Sequence, residues 1–512
     1  MDKVVTFALT ENFIERLANY IDENFIKRGA DMTRLCFVFE GKRPSLFLKK
    51  ALSKRMNKSY FPPKFFSIDE FVQYTLAKKT HFKRISNMES WYLIYNLAKD
   101  ITPEIVKTRE KFSQFLPWAK EIADFIDTLD TEDIPTDSLK EIQASAAIGY
   151  DIPENINALL KHIVKLRNAY HELLLKKNSF SRGFIYLLAA KAVEEVSFEE
   201  FDDIFFCSFF YMQKTERKIA KYLYDTGKAG FFFQGDEDSW PVLKDISHSL
   251  SCSIKPNKKE GEDNYSLNLY SAFDRHSQVS AIREVLKKIK NLDSTIIVLP
   301  DPSSMIPLVS EIGSSFGEFN VSLGYPLRRS SLYFLFESIV EAQRTRKDTE
   351  YYVKDYIDVL KQPLVKNLKI LADPSATRIL VHKLEEVLLG IEDTPQSSRL
   401  FIKLKDIEDE PLLFELAANM LRNMDIEVRR EDLKKVLKEL HLLLFTFWEG
   451  ISNFYDFSMS LGKLLDVLIR NSFMEKYGLN LKRKKAVHSF LTCLLLKNSY
   501  IIKKHEKKYF NN

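Results

Sequence analysis

Two adjacent basic residues, Lys42 and Arg43, lie between a predicted strand and a predicted helix. The strand is Leu35–Phe39, five largely apolar residues. The helix is indicated by apolar residues at helical spacing: Leu46, Phe47, Leu48 and Leu52. Pro44 suits its first turn. Basic side chains beside the free amides of a helix N-terminus can bind phosphate, so we predict that this loop contacts nucleic acid. The alternative is a solvated loop that opens an ordinary βα unit.

A second candidate for chemistry is the turn Gln-Gly-Asp-Glu-Asp-Ser-Trp at positions 234–240, which follows another predicted strand. Asp236 could act as a ligand, or its carboxylate could close an Asx-type turn. Trp240 could stack on a base, as aromatic side chains do beside grooves for single strands, or it could pack beneath the loop. We include Trp240 among the predicted nucleic-acid contacts.

Four acids recur every three residues in one predicted helix and its exit: Asp124, Asp127, Asp130 and Asp133. Metal binding is conceivable for carboxylates at this spacing. No histidine accompanies them in the pattern, and we predict a solvated acidic face.

Several catalytic motifs are missing from the sequence. It contains no G-x-x-x-x-G-K-[ST] cradle for nucleotide phosphates. Its four cysteines show no CxxC spacing, which argues against a zinc site or a disulfide framework. The stretch 313–317 matches G-x-S-x-G, but a helix precedes it and a strand follows, the reverse of a nucleophile elbow. We therefore predict no catalytic, metal or nucleotide-binding residues and no cofactor.

The periodicity predicts an α/β protein with large helical insertions. Residues 1–70 and 197–250 form a first α/β domain, with strands at Ile204–Phe210 and Gly230–Phe233, and residues 71–196 form a helical insertion. After a linker, residues 266–329 form a second α/β domain, with strands at Leu267–Phe273, Thr295–Leu299 and near residues 320–323. Residues 330–512 are predicted to be helical.

The charge of the chain is unevenly distributed. The formal net charge is +5, yet Lys476 to Lys508 contains ten basic residues and a single acid, so this basic tail alone carries +9. The N-terminus has no signal-peptide pattern, and the longest strongly apolar run is too short to span a bilayer. We expect a cytoplasmic protein.

Three groups of segments carry a family resemblance. They are LCFVFEGKRPSLFLKKAL at 35–52 with FPPKFFSIDEFV at 61–72, then VLP at 298–300 with NVSLGYPLRRSSLYFLFESIV at 320–340, and YYVKDYIDVLKQPLVKN at 351–367. In order and spacing they resemble AddB-type proteins. These are the helicase-like, nuclease-bearing partner subunits of bacterial double-strand-break resection complexes related to RecBCD.

The resemblance implies two degenerate RecA-like domains of the superfamily I helicase type and two mainly helical subdomains. It also implies DNA contacts at Arg328 and Arg329. The turn at 234–240 resembles the Gly-Asp turn of a helicase motif, whereas Cys207, Ser208 and Phe209 occupy the region where an active helicase has its Asp-Glu pair. The PD-(D/E)XK nuclease signature of the family, and the cysteines of the iron-sulphur cluster that some members carry, are not found in these 512 residues.

The resulting hypothesis is an inactive, helicase-like scaffold that guides DNA beside an AddA-like helicase-nuclease subunit. One alternative is an interaction protein of α/β-plus-helical fold with no nucleic-acid role. Another is a fragment of a nuclease whose catalytic domain lies beyond Asn512. The chain would then be a natural split subunit, a truncated or frameshifted product, or a deliberately shortened protein.

Overall fold

The protein is described here by a computed structural model. The structure describes residues 3–56, 59–139, 154–256, 266–313, 315–316, 319–322, 330–371 and 373–472. The chain divides into two compact units, Met1–Leu267 and Asn268–Asn512. It is a mixed α/β protein, mainly helical, with a parallel central sheet in the first unit.

The first unit is built on a five-stranded parallel sheet in the order β1-β7-β6-β2-β3. Its strands are β1 (Val4–Phe7), β2 (Leu35–Phe39), β3 (Lys64–Ser67), β6 (Asp203–Cys207) and β7 (Ala229–Gln234). Two further strands, β4 (Lys83–Arg84) and β5 (Ser179–Phe180), pair in parallel away from it. β2 is buried over its whole length, as expected for a strand covered on both faces.

Helices cover both faces of this sheet. The helices of the first unit are α1 (Phe13–Ile21, continued by a π turn at Asp22–Ile26), α2 (Arg43–Met56), α3 (Ile68–Ala77), α4 (Asn87–Ile101), α5 (Phe112–Thr131), α6 (Glu154–Lys177), α7 (Arg182–Ala192), α8 (Lys214–Asp225) and α9 (Pro241–Leu250). Short 3-10 turns lie at Met32–Arg34, Pro103–Ile105 and Val193–Glu195. α1 and α2 share one core with Phe37 and Phe39, while α3 to α9 share the other with Cys36 and Val38.

The orientation of α2 differs in part from the prediction. Leu48 and Leu52 are buried, as expected, whereas Leu46 and Phe47 are exposed. The buried face of α2 follows the i, i+3, i+4, i+7 pattern through Ser45, Leu48, Ala51 and Leu52. At about 100° per residue, Leu46 and Phe47 are rotated away from that stripe.

The prediction of a solvated acidic face on α5 is wrong for two of its four acids. Asp130 is fully buried, and its Oδ1 accepts hydrogen bonds from Nε and Nη2 of Arg167 at 2.9 and 2.7 Å. Its Oδ2 lies 2.8 Å from Nε2 of His171. Asp127 Oδ1 accepts from Ser181 Oγ at 2.6 Å, and burial raises the pKa of Asp127. These carboxylates join α5 to α6 and α7 inside the helical insertion.

The region 266–322 contains two helices and, within the described residues, none of the predicted strands. α10 (Arg275–Lys288) and α11 (Met305–Ile312), with a 3-10 turn at Pro302–Ser304, pack through a small apolar core. Within the described residues, Leu267–Phe273, Thr295–Leu299 and residues 320–322 form no strand. The RecA-like character of this region therefore stays a prediction.

The rest of the second unit is helical around one apolar core. Its helices are α12 (Ser331–Thr345), α13 (Val353–Leu360), α14 (Pro363–Lys366), α15 (Pro374–Leu388), α16 (Leu404–Glu408), α17 (Pro411–Arg422), α18 (Arg430–Leu444) and α19 (Phe454–Asn471), with a 3-10 turn at Thr446–Trp448. The antiparallel pair β8 (Glu350–Tyr352) and β9 (Phe401–Lys403) was not predicted.

A buried polar group joins three helices in this core. His441 Nδ1 lies 2.7 Å from Oε1 of Glu408, and its Nε2 lies 2.6 Å from Oη of Tyr356. Burial lowers the pKa of His441 and raises that of Tyr356, so the neutral ring donates to the carboxylate and accepts from the phenol. Because His441 and Tyr356 are both buried, this group stabilises the helix packing and is closed to substrates.

Candidate nucleic-acid interface

The parallel sheet brings the predicted contacts to one edge. All five strands point the same way, so the loops after β2, β6 and β7 leave from the same carboxyl edge. β2 connects through α2 to β3 on one side, and β6 connects through α8 to β7 on the other side. The chain therefore reverses its direction of winding between β2 and β6. Ligands of open α/β sheets bind in the crevice that forms at such a switch point.

Lys42 lies in the loop after β2, as the sequence predicted, and the strand order places this loop at the switch point. Its Nζ is 2.5 Å from Oε1 of Glu70, and its side chain is 75% exposed. Glu70 also closes the capping box of α3, because its Oε2 accepts from the Ser67 backbone amide at 2.9 Å. The hydrogen bond from Lys42 holds the pKa of Glu70 below its ordinary value. The Glu70 carboxylate, in the first turn of α3, therefore positions the Lys42 side chain.

Arg43 is the first residue of α2 and is exposed. Ser45 Oγ donates to the Lys42 carbonyl oxygen at 2.6 Å, which ties the loop to the first turn of the helix. This first turn contains no acidic residue. The helix dipole and the side chain of Arg43 therefore both favour an anion here.

A buried carboxylate lies next to the switch point, at the start of α8. Burial raises the pKa of Glu216 to about 7, and the negative charges of Glu40 and Glu132 act in the same direction. Arg182 opposes them. Glu216 Oε2 accepts from the backbone amide of Gln213 at 2.9 Å. Neither Glu216 nor its environment was predicted from the sequence.

A network around Asp69 was also missed. Its Oδ1 accepts from Arg182 Nε at 3.0 Å and from Tyr186 Oη at 3.2 Å, and its Oδ2 accepts from Arg84 Nη1 at 3.2 Å. These hydrogen bonds link the helical insertion to the first turn of α3. The sequence Ser67-x-x-Glu70 is a capping-box motif and could have located the start of α3, but it does not indicate the partners of Asp69.

Trp240 lies after β7, at the same edge. It immediately precedes α9, and the residue is 44% exposed. Its ring meets Phe210 edge to face, with centroids 6.3 Å apart. Tyr211, which follows β6, is exposed as well, and its Oη donates to Glu132 at 2.8 Å. Two exposed aromatic residues and the basic pair therefore follow neighbouring strands, with about 10 Å between the axes of β7 and β2.

Asp236 has the structural role that the sequence left open. Its Oδ1 accepts from the Asp238 backbone amide at 2.9 Å, the hydrogen bond of an Asx turn. In the described part of the chain, no cluster of three or more His, Cys, Asp or Glu side chains is arranged to hold a metal ion.

The other predicted contacts, Arg328 and Arg329, lie outside the described residues, and so does the basic tail Lys476 to Lys508. None of the described helices combines the length and the hydropathy needed to cross a membrane.

The sequence matches no protein-family model and no curated protein.

Proposed function

We propose that this protein is a non-catalytic, helicase-like scaffold that binds and guides DNA in a resection complex of the AddAB or RecBCD kind. The observation that carries the proposal is the common position of Lys42, Arg43 and Trp240 on the carboxyl edge of one parallel sheet. Cations beside a helix N-terminus suit phosphates, and an exposed aromatic ring on the same edge suits a base. Such contacts give weak sequence preference.

The ion pair between Lys42 and Glu70 is compatible with this role. It is largely exposed, and such pairs contribute at most about 1 kcal/mol, so a phosphate can replace the carboxylate as partner of Lys42. Arg43 can contact two phosphate oxygens at once, whereas Lys42 acts as a point charge. We therefore expect the loss of Arg43 to weaken binding more than the loss of Lys42.

The sequence lacks a nucleotide cradle, so movement along DNA would come from another subunit. An AddA-like helicase-nuclease is the proposed partner. Co-purification from the native host tests this, and recovery of the chain as a monomer while that partner is expressed would count against it. The isolated chain is expected neither to hydrolyse ATP nor to cut DNA.

A matched pair of tryptophan variants tests the DNA interface. Trp240→Ala should weaken binding of a labelled single-stranded oligonucleotide about tenfold, the usual effect of removing a stacked aromatic residue. Trp118→Ala is the control, because Trp118 is comparably exposed, on α5 of the helical insertion. Fluorescence anisotropy measures both affinities. Equal losses, or none, would remove Trp240 from the interface.

A second candidate is a protein-interaction module without a nucleic-acid role. The observation in its favour is the number of carboxylates around the basic pair, which include Glu40, Glu70 and the buried Glu216. Their negative charge would weaken the attraction of this edge for phosphates. In that case the full chain should not bind DNA at physiological salt.

A further inference from the structure

The outward side of α2 combines bulky apolar side chains with lysines. We call it the α2 face, and it consists of Leu46, Phe47, Lys49, Lys50, Lys54 and the adjacent Phe61. Leu46, Phe47 and Phe61 are 64%, 56% and 81% exposed. The sequence of α2, RPSLFLKKALSKRM, contains no acid. Exposed apolar side chains gathered in one place, with polar residues around them, mark interaction sites.

The exposed residues of α2 lie along its outward side. Leu46, Lys50 and Lys54 follow one another at i, i+4 spacing along the exposed side of the helix, and Phe47 lies one residue from this row. The segment before β3 lies alongside. Tyr60 Oη is 3.5 Å from the Lys49 carbonyl oxygen, and Lys49 Nζ is 4.9 Å from the centre of the Phe65 ring. Phe61 follows Tyr60 directly and so lies on the Lys49 side of α2.

Neither Lys50 nor Lys54 forms an ion pair with another described residue, although Arg55 on the same helix is paired with Glu15. A partner that covers the apolar residues would bring its own charges next to these lysines. Acidic side chains would be attracted there and basic ones repelled.

We propose that the α2 face docks an acidic amphipathic helix of a partner protein. Apolar residues on one side of such a helix would cover Leu46, Phe47 and Phe61, and flanking glutamates or aspartates would meet Lys50 and Lys54. Phe47, Phe61 and the lysines would also suit nucleic acid, but an exposed leucine offers neither charge nor a stacking plane to a nucleotide, which favours a partner helix. The proposal does not depend on DNA binding by Lys42 and Arg43.

Two synthetic peptides serve as probes for the full-length chain. One is a helical peptide of about 18 residues, with leucines along a single face and glutamates on its flanks. The other has the same composition in an order that leaves no apolar face. Fluorescence anisotropy should show micromolar binding of the first peptide and at least about tenfold weaker binding of the second.

Paired variants then locate the binding surface. Leu46→Ser with Phe47→Ser, and Lys50→Glu with Lys54→Glu, should each weaken binding of the acidic peptide about tenfold or more. The first control is Leu389→Ser with Leu400→Ser, two exposed apolar residues of the second unit. The second is Lys161→Glu with Lys165→Glu, exposed lysines at the same i, i+4 spacing on α6. The controls should change the affinity less than about twofold.

A charge swap makes the test specific. The Lys50→Glu, Lys54→Glu variant should bind a third peptide, in which lysines replace the glutamates, better than the unmodified chain does. The proposal is overturned if the two leucine-glutamate peptides bind equally or not at all, or if face and control variants behave alike. It is also overturned if a single-stranded oligonucleotide binds this face and loses its affinity in the Leu46, Phe47 variant, since the surface would then serve nucleic acid.

Discussion

The segments Leu35–Phe39 and Thr295–Leu299 have the same strand pattern and different structures. The first forms β2, lies between β3 and β6, and is buried throughout. The second forms no strand, and its Ile296 and Val298 are 85% and 80% exposed. An apolar pattern thus marks a segment that can become a strand, while the pairing partners decide whether it does.

Whether side chains pack on both faces of such a segment depends on whether the segment pairs with neighbouring strands. The side chains of β2 alternate between two large cores. Ile297 and Leu299 are partly buried and pack against the small core under α10 and α11. In the described part of the chain, no backbone hydrogen bond links Ile296–Leu299 to another residue. Backbone groups without partners are stable only where water reaches them, so this segment has to stay at the surface.

Truncation of one apolar side chain in each segment should give the largest difference in the free energy of unfolding. Phe37→Ala removes a ring from the middle of the sheet and should cost about 3–5 kcal/mol, because a cavity remains. Ile297→Ala, at a partly buried position, should cost about 1 kcal/mol. Hydrogen exchange resolved by peptide measures the local stability of both segments. Equal protection of residues 36–39 and 296–299 in the unmodified protein would refute the comparison.

Ion pairs in the two regions should also differ in how much they contribute to stability, because one pair is buried and the other is exposed. Arg167→Met removes the guanidinium from the buried Asp130, which keeps only the contact of its Oδ2 with His171, and should cost about 3–5 kcal/mol. Arg275→Met breaks an exposed pair with Asp301 and should cost less than about 1 kcal/mol. Urea titration gives both values. Replacement of both members of the buried pair, Asp130→Leu with Arg167→Met, should restore part of the loss. A double variant no more stable than Arg167→Met alone would contradict this account of Asp130.

The pH dependence of stability should reveal the buried carboxylate at the edge of the sheet. Burial raises the pKa of Glu216 from 4.5 to about 7, so the folded state binds more protons than the unfolded state between these values. Stability should therefore fall as the pH rises through this window. Glu216→Gln stays neutral and should be more stable than the unmodified protein at pH 8, by at most about 3 kcal/mol, with little difference near pH 4.

The control for this prediction is Glu284→Gln, which changes an exposed residue of α10 whose hydrogen bond from Lys287 lowers its pKa. It should show no gain at pH 8. Equal pH profiles for Glu216→Gln and the unmodified protein would mean that Glu216 is charged in the folded state at neutral pH.

Pattern alone was sufficient where segments are long and their partners are nearby. β2, β6, β7 and α2 were predicted, as was the mainly helical character of residues 71–196 and 330–472. β1 and β3 were missed, because four residues such as VVTF or KFFS are too few to show a period of two. The burial of Asp127 and Asp130 was also missed, since it depends on Ser181 and Arg167, which lie far along the chain.

Prediction of the candidate site has the same limit: local pattern places some of its residues, and the rest depend on the strand order. A strand followed by a basic loop and a helix places Lys42 and Arg43 at the edge of a sheet whatever its strand order. The pairing of Lys42 with Glu70 requires β3 beside β2, and the position of Trp240 requires the order β7-β6-β2. Both depend on tertiary structure, which the periodicity of short segments does not predict.

The most direct test of the proposed interface is the salt dependence of DNA binding. The full chain, a Lys42→Ala with Arg43→Ala variant, and a chain ending at Glu475 are titrated with a labelled oligonucleotide at several salt concentrations, with Lys161→Ala and Lys165→Ala as the matched control. We expect the Lys42, Arg43 variant to bind more weakly, with a salt slope shallower by roughly one to two units, because each phosphate contact releases about one counterion. If that variant keeps the full affinity and slope while the chain ending at Glu475 loses all binding, the basic tail is the contact and the interface proposed at the sheet edge is wrong.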